Sequence, residues 1–229
     1  MKTVAFLCFS FLYFRYTLCS CPSNDLEITS VEDVYEFLWE NNSVIAFETL
    51  RVDFLQQMQS GSLQAERYIS FTMQDINYIL TVTKMLKEMS EKEIQPDDLR
   101  DFIKGRYLSY KKYTDLMLER FSFKDAPAIQ QTPAMTKYLS FYRELMEDPL
   151  DFAVGLLPCA RLWVWLGKNL KTPQNNAYYN WKVENMDGHP EKHYKALLDK
   201  HLDTYEKVEK ANNIFREQMR NEHDFFYSS

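Results

Sequence analysis

The chain is poor in the residue types on which several protein classes depend. It has only 5 glycines among 229 residues, which disfavours glycine-rich phosphate loops and turn-dense β folds. It also lacks an excess of basic residues, since its formal net charge is −6. A nucleic-acid partner is therefore not expected. Apolar residues are abundant instead, at 45% of the chain, and suffice for one sizeable core without crosslinks.

Histidine is scarce and falls late in the chain, which bears on metal and haem binding. The 4 histidines are His189, His193, His201 and His223. No early histidine is available as a proximal haem ligand, and no Glu-x-x-His pair indicates a di-iron site. We therefore expect neither a metal nor another cofactor.

The first residues are typical of a secretory signal peptide. Lys2 supplies a positive charge, residues 4–14 form an apolar run, and small residues follow around residues 17–20. The run is shorter than the roughly 20 apolar residues that span a bilayer, so no membrane span is expected. We predict a signal peptide over residues 1–20, cleavage near residues 19–21, and a secreted domain over residues 21–229. An uncleaved amphipathic start is the alternative.

Removal of this leader would leave few cysteines. Cys8 and Cys19 depart with it and Cys21 lies at its edge, so Cys159 has no obvious disulfide partner. An odd buried thiol in a secreted protein favours a functional use of that thiol. Asn41 begins an Asn-Asn-Ser tripeptide, which is a candidate glycosylation acceptor in the same compartment.

The hydrophobic pattern predicts an all-α, single-domain multi-helix bundle, because no segment alternates convincingly with the period of a strand. Ser30 and Asp33 resemble a capping box before a helix that extends to about Trp39. Proline, glycine and polar segments separate the later helices. The predicted helices cover residues 44–58, 64–89, 96–121, a segment ending near 146, a segment beginning at 148–149, residues 177–186, and a last helix ending near 226.

A lone cysteine lies inside an apolar helical run. The segment Gly-Leu-Leu-Pro-Cys-Ala-Arg-Leu-Trp-Val-Trp-Leu-Gly places Cys159 directly after Pro158. Because proline removes a backbone donor, it predicts a bend in the helix at the thiol. Cys159 is either an inert small residue of the core or a nucleophile beside a cavity. The face that carries it consists of Phe152, Leu156, Cys159, Trp163 and Leu166.

Two other predicted helices carry a carboxylate at an apolar position. Asp75 interrupts the inner stripe of the helix over residues 64–89, and Glu222 interrupts the stripe of the last helix. Burying a charged carboxylate is costly, so either residue alone fits a structural ion pair or a helix end turned to water. Two such carboxylates and a thiol on a third apolar face instead indicate a pocket with an acid/base pair and a nucleophile.

These residues resemble the motifs of the TENA/THI-4 family, which includes bacterial thiaminase II. The resemblance covers most of the chain after about residue 30. It is carried by residues 73–78 (Met-Gln-Asp-Ile-Asn-Tyr), 156–167 (beginning Leu-Leu-Pro-Cys), 179–181 (Tyr-Asn-Trp) and 222–226 (Glu-His-Asp-Phe-Phe). It implies an all-helical fold of the haem-oxygenase-like type, usually in homo-oligomers, and cleavage of thiamin or of its aminopyrimidine breakdown products.

The resemblance also implies a role for individual residues. Cys159 is the expected nucleophile toward the pyrimidine ring, and Glu222 is the expected proton donor and acceptor. Asp75 is expected to anchor the amidine edge of the ring, and Tyr78 matches a pocket tyrosine. The residue types suit this chemistry, because a thiolate adds to an electron-poor ring and a carboxyl can protonate a ring nitrogen.

The wall of the expected pocket departs from the family's pattern. Trp163 stands where the family usually has a tyrosine, one helical turn after the cysteine, and Asn185 stands at the position of another pocket tyrosine. Tyr138 is the nearest candidate for an aromatic residue expected before the cysteine helix. We therefore expect the catalytic groups to be retained and the substrate-binding wall to be rebuilt.

The sequence thus predicts a secreted thiaminase that acts on a small molecule. Water accepts the pyrimidine in a hydrolytic reaction like that of thiaminase II, whereas an organic base or thiol accepts it in a base exchange like that of thiaminase I. A non-catalytic secreted binder of thiamin or a related heterocycle is the main alternative, and a helical interaction protein with an accidental thiol is another. The presence of both Cys159 and Glu222 disfavours the binder.

Overall fold

The computed structural model describes residues 33–94, 96–123 and 128–229, and within these ranges it contains ten α-helices and no strand. The predicted all-α class is confirmed. The predicted signal peptide, its cysteines and Ser30 lie outside the described residues. The helices are α1 Val34–Glu40, α2 Ser43–Leu50, α3 Asp53–Ser60, α4 Ala65–Ser90, α5 Asp97–Arg120, α6 Pro133–Leu145, α7 Pro149–Asn169, α8 Tyr179–Met186, α9 Glu191–His201 and α10 Tyr205–Tyr227.

Side-chain caps determine where several helices begin. Asp148 accepts a hydrogen bond from the backbone N–H of Leu150 at 2.8 Å, and Pro149 fills the first helical position of α7. Asp33 likewise accepts from the backbone N–H of Glu36 at 3.2 Å and caps α1. The expected capping box, in which Asp33 is already inside the helix, is therefore wrong, because Asp33 is itself the cap.

The single helix predicted over residues 44–58 is also wrong, since the chain forms α2 and α3 there. Val52 has an extended backbone, with φ −60° and ψ 145°, and interrupts the helical ladder. The side-chain amide of Gln56 donates to the carbonyl of Leu50 at 2.6 Å across this break. The predicted helices over residues 64–89, 96–121 and 177–186 agree with α4, α5 and α8 within about two residues. The sequence pattern did not indicate α9.

Helix α7 is the centre of the bundle, and residues 152–158 are all buried. It packs against α10, α8 and α6. Among the described residues it is the one helix long and apolar enough to cross a membrane, and its apolar surface is here largely covered by other helices. Gly155 allows α6 to approach, because a Cβ atom at that position would collide with the side chain of Leu145.

Pro158 lies inside α7, which continues as a helix from Pro149 to Asn169. Since proline has no N–H, the carbonyl of Val154 lacks its usual partner one turn later. The carbonyl of the next residue, Gly155, accepts a hydrogen bond from the hydroxyl of Tyr142 at 3.1 Å. A side chain of α6 is thus attached to α7 one turn before Cys159. The bend expected at the thiol stays a prediction.

Candidate active site

A cavity of about 840 Å³ opens among α4, α5, α7 and α8. The structure brings most of the predicted site residues to it. The predicted residues that line the cavity are Asp75 and Tyr78 from α4, Cys159 and Trp163 from α7, and Asn185 from α8. Glu222 and Tyr138 are buried, at 1% exposure each, and contact the lining residues from behind.

Cys159 is partly exposed on the cavity wall, and its sulfur is free. Burial, followed by the negative charge of Glu222, raises the pKa of the thiol well above its ordinary value, whereas a hydrogen bond with Tyr78 opposes this shift. The resting group is therefore a thiol rather than a thiolate at neutral pH. A nearby base has to remove its proton before the sulfur can attack a substrate.

Glu222 in α10 is placed to be that base. The hydroxyl of Tyr138 donates to its Oε1 atom at 2.5 Å, and the indole N–H of Trp163 donates to its Oε2 atom at 3.0 Å. Burial raises the pKa of the carboxyl, while hydrogen bonds from Tyr138, Trp163 and Cys159 favour the charged form. A carboxylate beside a thiol can take its proton and later return it.

Asp75 faces the same cavity from α4 and is partly buried. Burial, followed by the negative charge of Glu222, raises the pKa of Asp75 to about 7. No hydrogen bond from the described residues contributes to this pKa. A desolvated carboxyl group without a protein donor can accept hydrogen bonds from a ligand that enters the cavity.

Tyrosines connect α4 and α6 below the thiol. The rings of Tyr78 and Tyr138 stack with their centroids 5.1 Å apart, and those of Tyr138 and Tyr142 stack at 5.3 Å. The hydroxyl groups of Tyr78 and Tyr142 lie 2.9 Å apart. Tyr142 was not predicted as a site residue, because a buried tyrosine on an apolar stripe has the pattern of an ordinary core residue. Its hydroxyl nevertheless belongs to the hydrogen-bond network of the site.

One wall of the cavity comes from α5, which the sequence analysis did not assign to the site. Tyr110, Tyr113 and Arg120 line the cavity from this helix. The guanidinium of Arg120 forms two hydrogen bonds with the carboxylate of Glu184 in α8. The available signal was the helical spacing of these aromatic and charged residues, which is also typical of a solvent-exposed face.

The remaining predicted residues take different positions. Asn185 lines the cavity, and its amide group donates one N–H to the carbonyl of Trp181 at 2.7 Å, which leaves its oxygen and its second N–H for a ligand. Asn41 is exposed at the end of α1, and its amide donates to the carbonyl of Phe37 at 2.8 Å. Within the described ranges, no group of three or more histidine, cysteine, aspartate and glutamate side chains is placed to share a metal ion.

The fold is similar to solved structures of TenA proteins. A TenA homologue from P. horikoshii OT3 superposes with a TM-score of 0.67 at 19% identity, covering 85% of this chain and 97% of that one. A TenA homologue from Pyrococcus furiosus has a TM-score of 0.68 at 17% identity, with coverages of 84% and 98%. A TenA family transcription regulator from Silicibacter sp. TM1040 has a TM-score of 0.71 at 15% identity, with coverages of 88% and 97%.

No family model and no curated protein matches the sequence. At such low identities the structural likeness establishes the fold. The chain therefore has the haem-oxygenase-like, TenA-type all-helical fold that its motifs predict, and this expectation is confirmed.

Proposed function

We propose that the protein is a thiaminase-type enzyme, which cleaves thiamin or an aminopyrimidine derivative at the methylene group attached to the pyrimidine ring. The observation that carries the proposal is the convergence of Cys159, Glu222 and Asp75 on one cavity. A thiol in contact with a buried carboxylate, beside a second carboxyl of raised pKa, is an arrangement suited to nucleophilic and acid/base catalysis. The TenA-type fold supports the same assignment.

Asp75 recognises the pyrimidine ring in this mechanism. The amidine edge of an aminopyrimidine presents hydrogen-bond donors, and the Asp75 carboxylate offers acceptors that no donor among the described residues occupies. A charged carboxylate also favours the protonated form of the ring. Asp75 thereby orients the ring so that one of its carbons faces the sulfur of Cys159.

Cys159 and Glu222 carry out the covalent steps. The Glu222 carboxylate accepts the thiol proton as the sulfur–carbon bond forms, and it passes this proton to the ring nitrogen. Electrons from the amino-substituted side of the ring then expel the leaving group from the methylene, and the thiazolium departs as a neutral thiazole. A second nucleophile adds to the methylene and releases one proton, and the sulfur–carbon bond breaks as Glu222 returns the first proton to the sulfur.

Two acceptors are compatible with this mechanism, and product analysis distinguishes them. The protein should be incubated with thiamin alone and with added pyridine or aniline, followed by mass analysis. Hydrolysis yields the hydroxymethyl pyrimidine in every sample, whereas base exchange yields a pyridinium or anilino adduct. The same incubations should be repeated with an aminopyrimidine derivative of thiamin, and folded protein that cleaves neither compound would contradict the proposal. Cys159→Ser is the matched control and should lose at least about a hundredfold in rate.

The variant Glu222→Gln separates an enzyme from a binder. If the protein is an enzyme, this variant should still bind the aminopyrimidine but turn over about two to four orders of magnitude more slowly. If the protein only binds a heterocycle, neither the variant nor the native chain changes the amount of thiamin in solution. Ligand binding can be followed by calorimetry in both cases.

We further propose that the protein acts outside the cell. The support is the positive charge at Lys2 followed by the short apolar run over residues 4–14. In a eukaryotic secretory host, the chain in the medium should begin near residues 19–22. Intact Met1 in the lysate, with no protein in the medium, would refute secretion.

A further inference from the structure

The exposed mouth of the cavity carries an ion pair between Arg120 and Glu184. The guanidinium donates from Nη1 and Nη2 to the two carboxylate oxygens at 3.1 and 2.9 Å. Both side chains line the cavity and are about half exposed, at 56% and 47%. The pair joins the last residue of α5 to α8. It lies at the exposed end of the site, and the buried Glu222 lies at the opposite end.

Within the part of the chain that the structure describes, the one cation at this mouth is already paired. Among the described residues that line the cavity, Arg120 is the one positively charged side chain, and Glu184 occupies its planar fork. Glu119 lines the same cavity, and so does Asp75, which carries part of a negative charge at neutral pH because its pKa is about 7. A cavity whose single cation is neutralised in this way has a negative potential, which attracts cations and repels anions.

An aromatic ring is present beside these carboxylates. Tyr113 is 46% exposed and lines the cavity about two helical turns before the end of α5. Desolvation, followed by the charges of Asp75 and Glu184, raises the pKa of its hydroxyl, and all three side chains line the same cavity. Carboxylates next to an aromatic ring favour a delocalised organic cation, such as a thiazolium ring.

We propose that Glu184 determines substrate specificity: by holding Arg120 in the bidentate ion pair, it makes the cavity select an unphosphorylated cationic substrate and exclude phosphate esters. This inference rests on the proposed function. A free arginine fork is an efficient phosphate ligand, and Glu184 removes that ligand from the mouth. Carboxylates without a cationic partner would also repel the negative charge of a phosphate group that entered the cavity, and this repulsion disfavours phosphorylated substrates.

The variant Glu184→Gln tests the inference, because it retains the size of the side chain and releases Arg120 from a charged partner. The ratio of kcat/KM for thiamin monophosphate to kcat/KM for thiamin should rise at least about tenfold. The double variant Glu184→Gln with Arg120→Gln should lose this gain, since the guanidinium supplies it. The pair is half exposed, so its removal should cost little stability.

A matched control is available on the same helix. Lys111 and Asp115 form an exposed ion pair at 2.6 Å on α5, and neither residue lines the cavity. Asp115→Asn should leave the ratio of the two kcat/KM values unchanged. A Glu184→Gln protein that melts like the native protein and retains the native ratio would overturn the inference.

Direct binding of inorganic pyrophosphate separates this inference from the proposed function. Calorimetry should show that Glu184→Gln binds pyrophosphate at least about tenfold more tightly than the native chain, and that the double variant does not. If no variant cleaves thiamin but this binding pattern is found, the proposed function fails and the exclusion of anions by Glu184 stands. If thiamin is cleaved but neither the binding nor the ratio changes, the inference on Glu184 fails.

Discussion

Trp163 donates its indole N–H to the Oε2 atom of Glu222 at 3.0 Å, so a side chain one turn after Cys159 holds the carboxylate that faces the thiol. An indole N–H only donates and does not lose its proton. Trp163 therefore orients the carboxylate and stabilises its charge without taking part in proton transfer. Trp163 stands where the resemblance implies a tyrosine, and its indole N–H supplies a hydrogen-bond donor to Glu222.

Trp163→Phe should change the acid/base behaviour of Glu222. The variant keeps a large ring and removes the N–H that favours the charged carboxylate, so the pKa of Glu222 should rise further. A hydrogen bond to a charged group contributes about 1.5–3 kcal/mol, so turnover should fall by roughly ten- to a hundredfold. The limb of the pH–rate profile that reports Glu222 should move to higher pH.

The control for this prediction is Trp165→Phe on the same helix. Trp165 contacts Trp39 and Phe47 through its ring and does not line the cavity. Its replacement should leave the pH–rate profile in place. Identical profiles for the native protein and Trp163→Phe would show that Trp163 has no influence on the carboxyl of Glu222.

Glu222→Gln should make Cys159 more reactive toward an alkylating reagent while it makes catalysis slower. The charge of Glu222 and its hydrogen bond both raise the pKa of the thiol, so their loss should lower that pKa and increase the thiolate fraction at neutral pH. Turnover should nevertheless fall, because the variant cannot transfer the proton. The measurements are iodoacetamide labelling and turnover as functions of pH. Changes of both rates in the same direction would exclude direct coupling between the two residues.

Helical periodicity sufficed to identify the groups at the buried end of the site. Cys159, Asp75 and Glu222 occupy apolar positions of their stripes, and such positions in a bundle point inward. The resemblance to a known family then indicated that the three faces meet. Tyr113 and Arg120 could not be identified in this way, because a helix face that lines an open cavity has the same composition as a solvated surface.

The helix boundaries also include some that the local sequence predicts and some that it does not. Capping by Asp148 and Pro149 is a local effect of neighbouring residues, so the start of α7 was predicted correctly. The break between α2 and α3 contains no proline or glycine, and Val52 is extended there while its own side chain is buried in the core. Tertiary packing therefore overrides local preference at that position, and periodicity alone does not detect it.

Asp75→Asn should stabilise the folded protein at neutral pH and weaken its ligand binding. Folding raises the pKa of Asp75 from 3.8 to about 7, so the unfolded chain loses this proton at lower pH than the folded one. Stability is therefore lost as the pH rises from about 4 to about 7, and asparagine does not titrate. The difference in free energy of unfolding between the variant and the native protein should therefore shift in favour of the variant as the pH rises through this range. Calorimetry should show weaker aminopyrimidine binding.

Asp98→Asn provides the comparison of opposite sign. A hydrogen bond from Lys200 lowers the pKa of Asp98 to about 2, with help from a weaker one from His201 and against the opposing effect of desolvation. At pH values above the pKa that Asp98 has in the unfolded chain, its ionised carboxylate stabilises the folded protein. The variant loses this stabilisation, so it should be less stable than the native protein at neutral pH. Denaturant titrations at several pH values measure both variants. A parallel pH dependence of Asp75→Asn and the native protein would contradict the raised pKa.

Two glycine-to-alanine variants should have opposite effects on stability, because only one of the glycines is needed for helix packing. A Cβ atom at Gly167 would lie 2.9 Å from the backbone nitrogen of Met186 and 3.1 Å from the carbonyl carbon of Asn185, so α8 would have to move. Gly167→Ala should destabilise the protein by about 1–3 kcal/mol through this overpacking. It should also raise KM, since α8 supplies Glu184 and Asn185 to the cavity.

Gly105 in α5 is the matched control, because a Cβ atom there would meet nothing within 4 Å. Gly105→Ala should stabilise the protein by about 0.5–1 kcal/mol, since alanine loses less conformational entropy in a helix, and KM should not change. Thermal melts and denaturant titrations measure the two free energies, and substrate titration measures KM. If Gly167→Ala is as stable as the native protein, α8 can shift without cost, and the close contact between α7 and α8 does not fix this wall of the cavity.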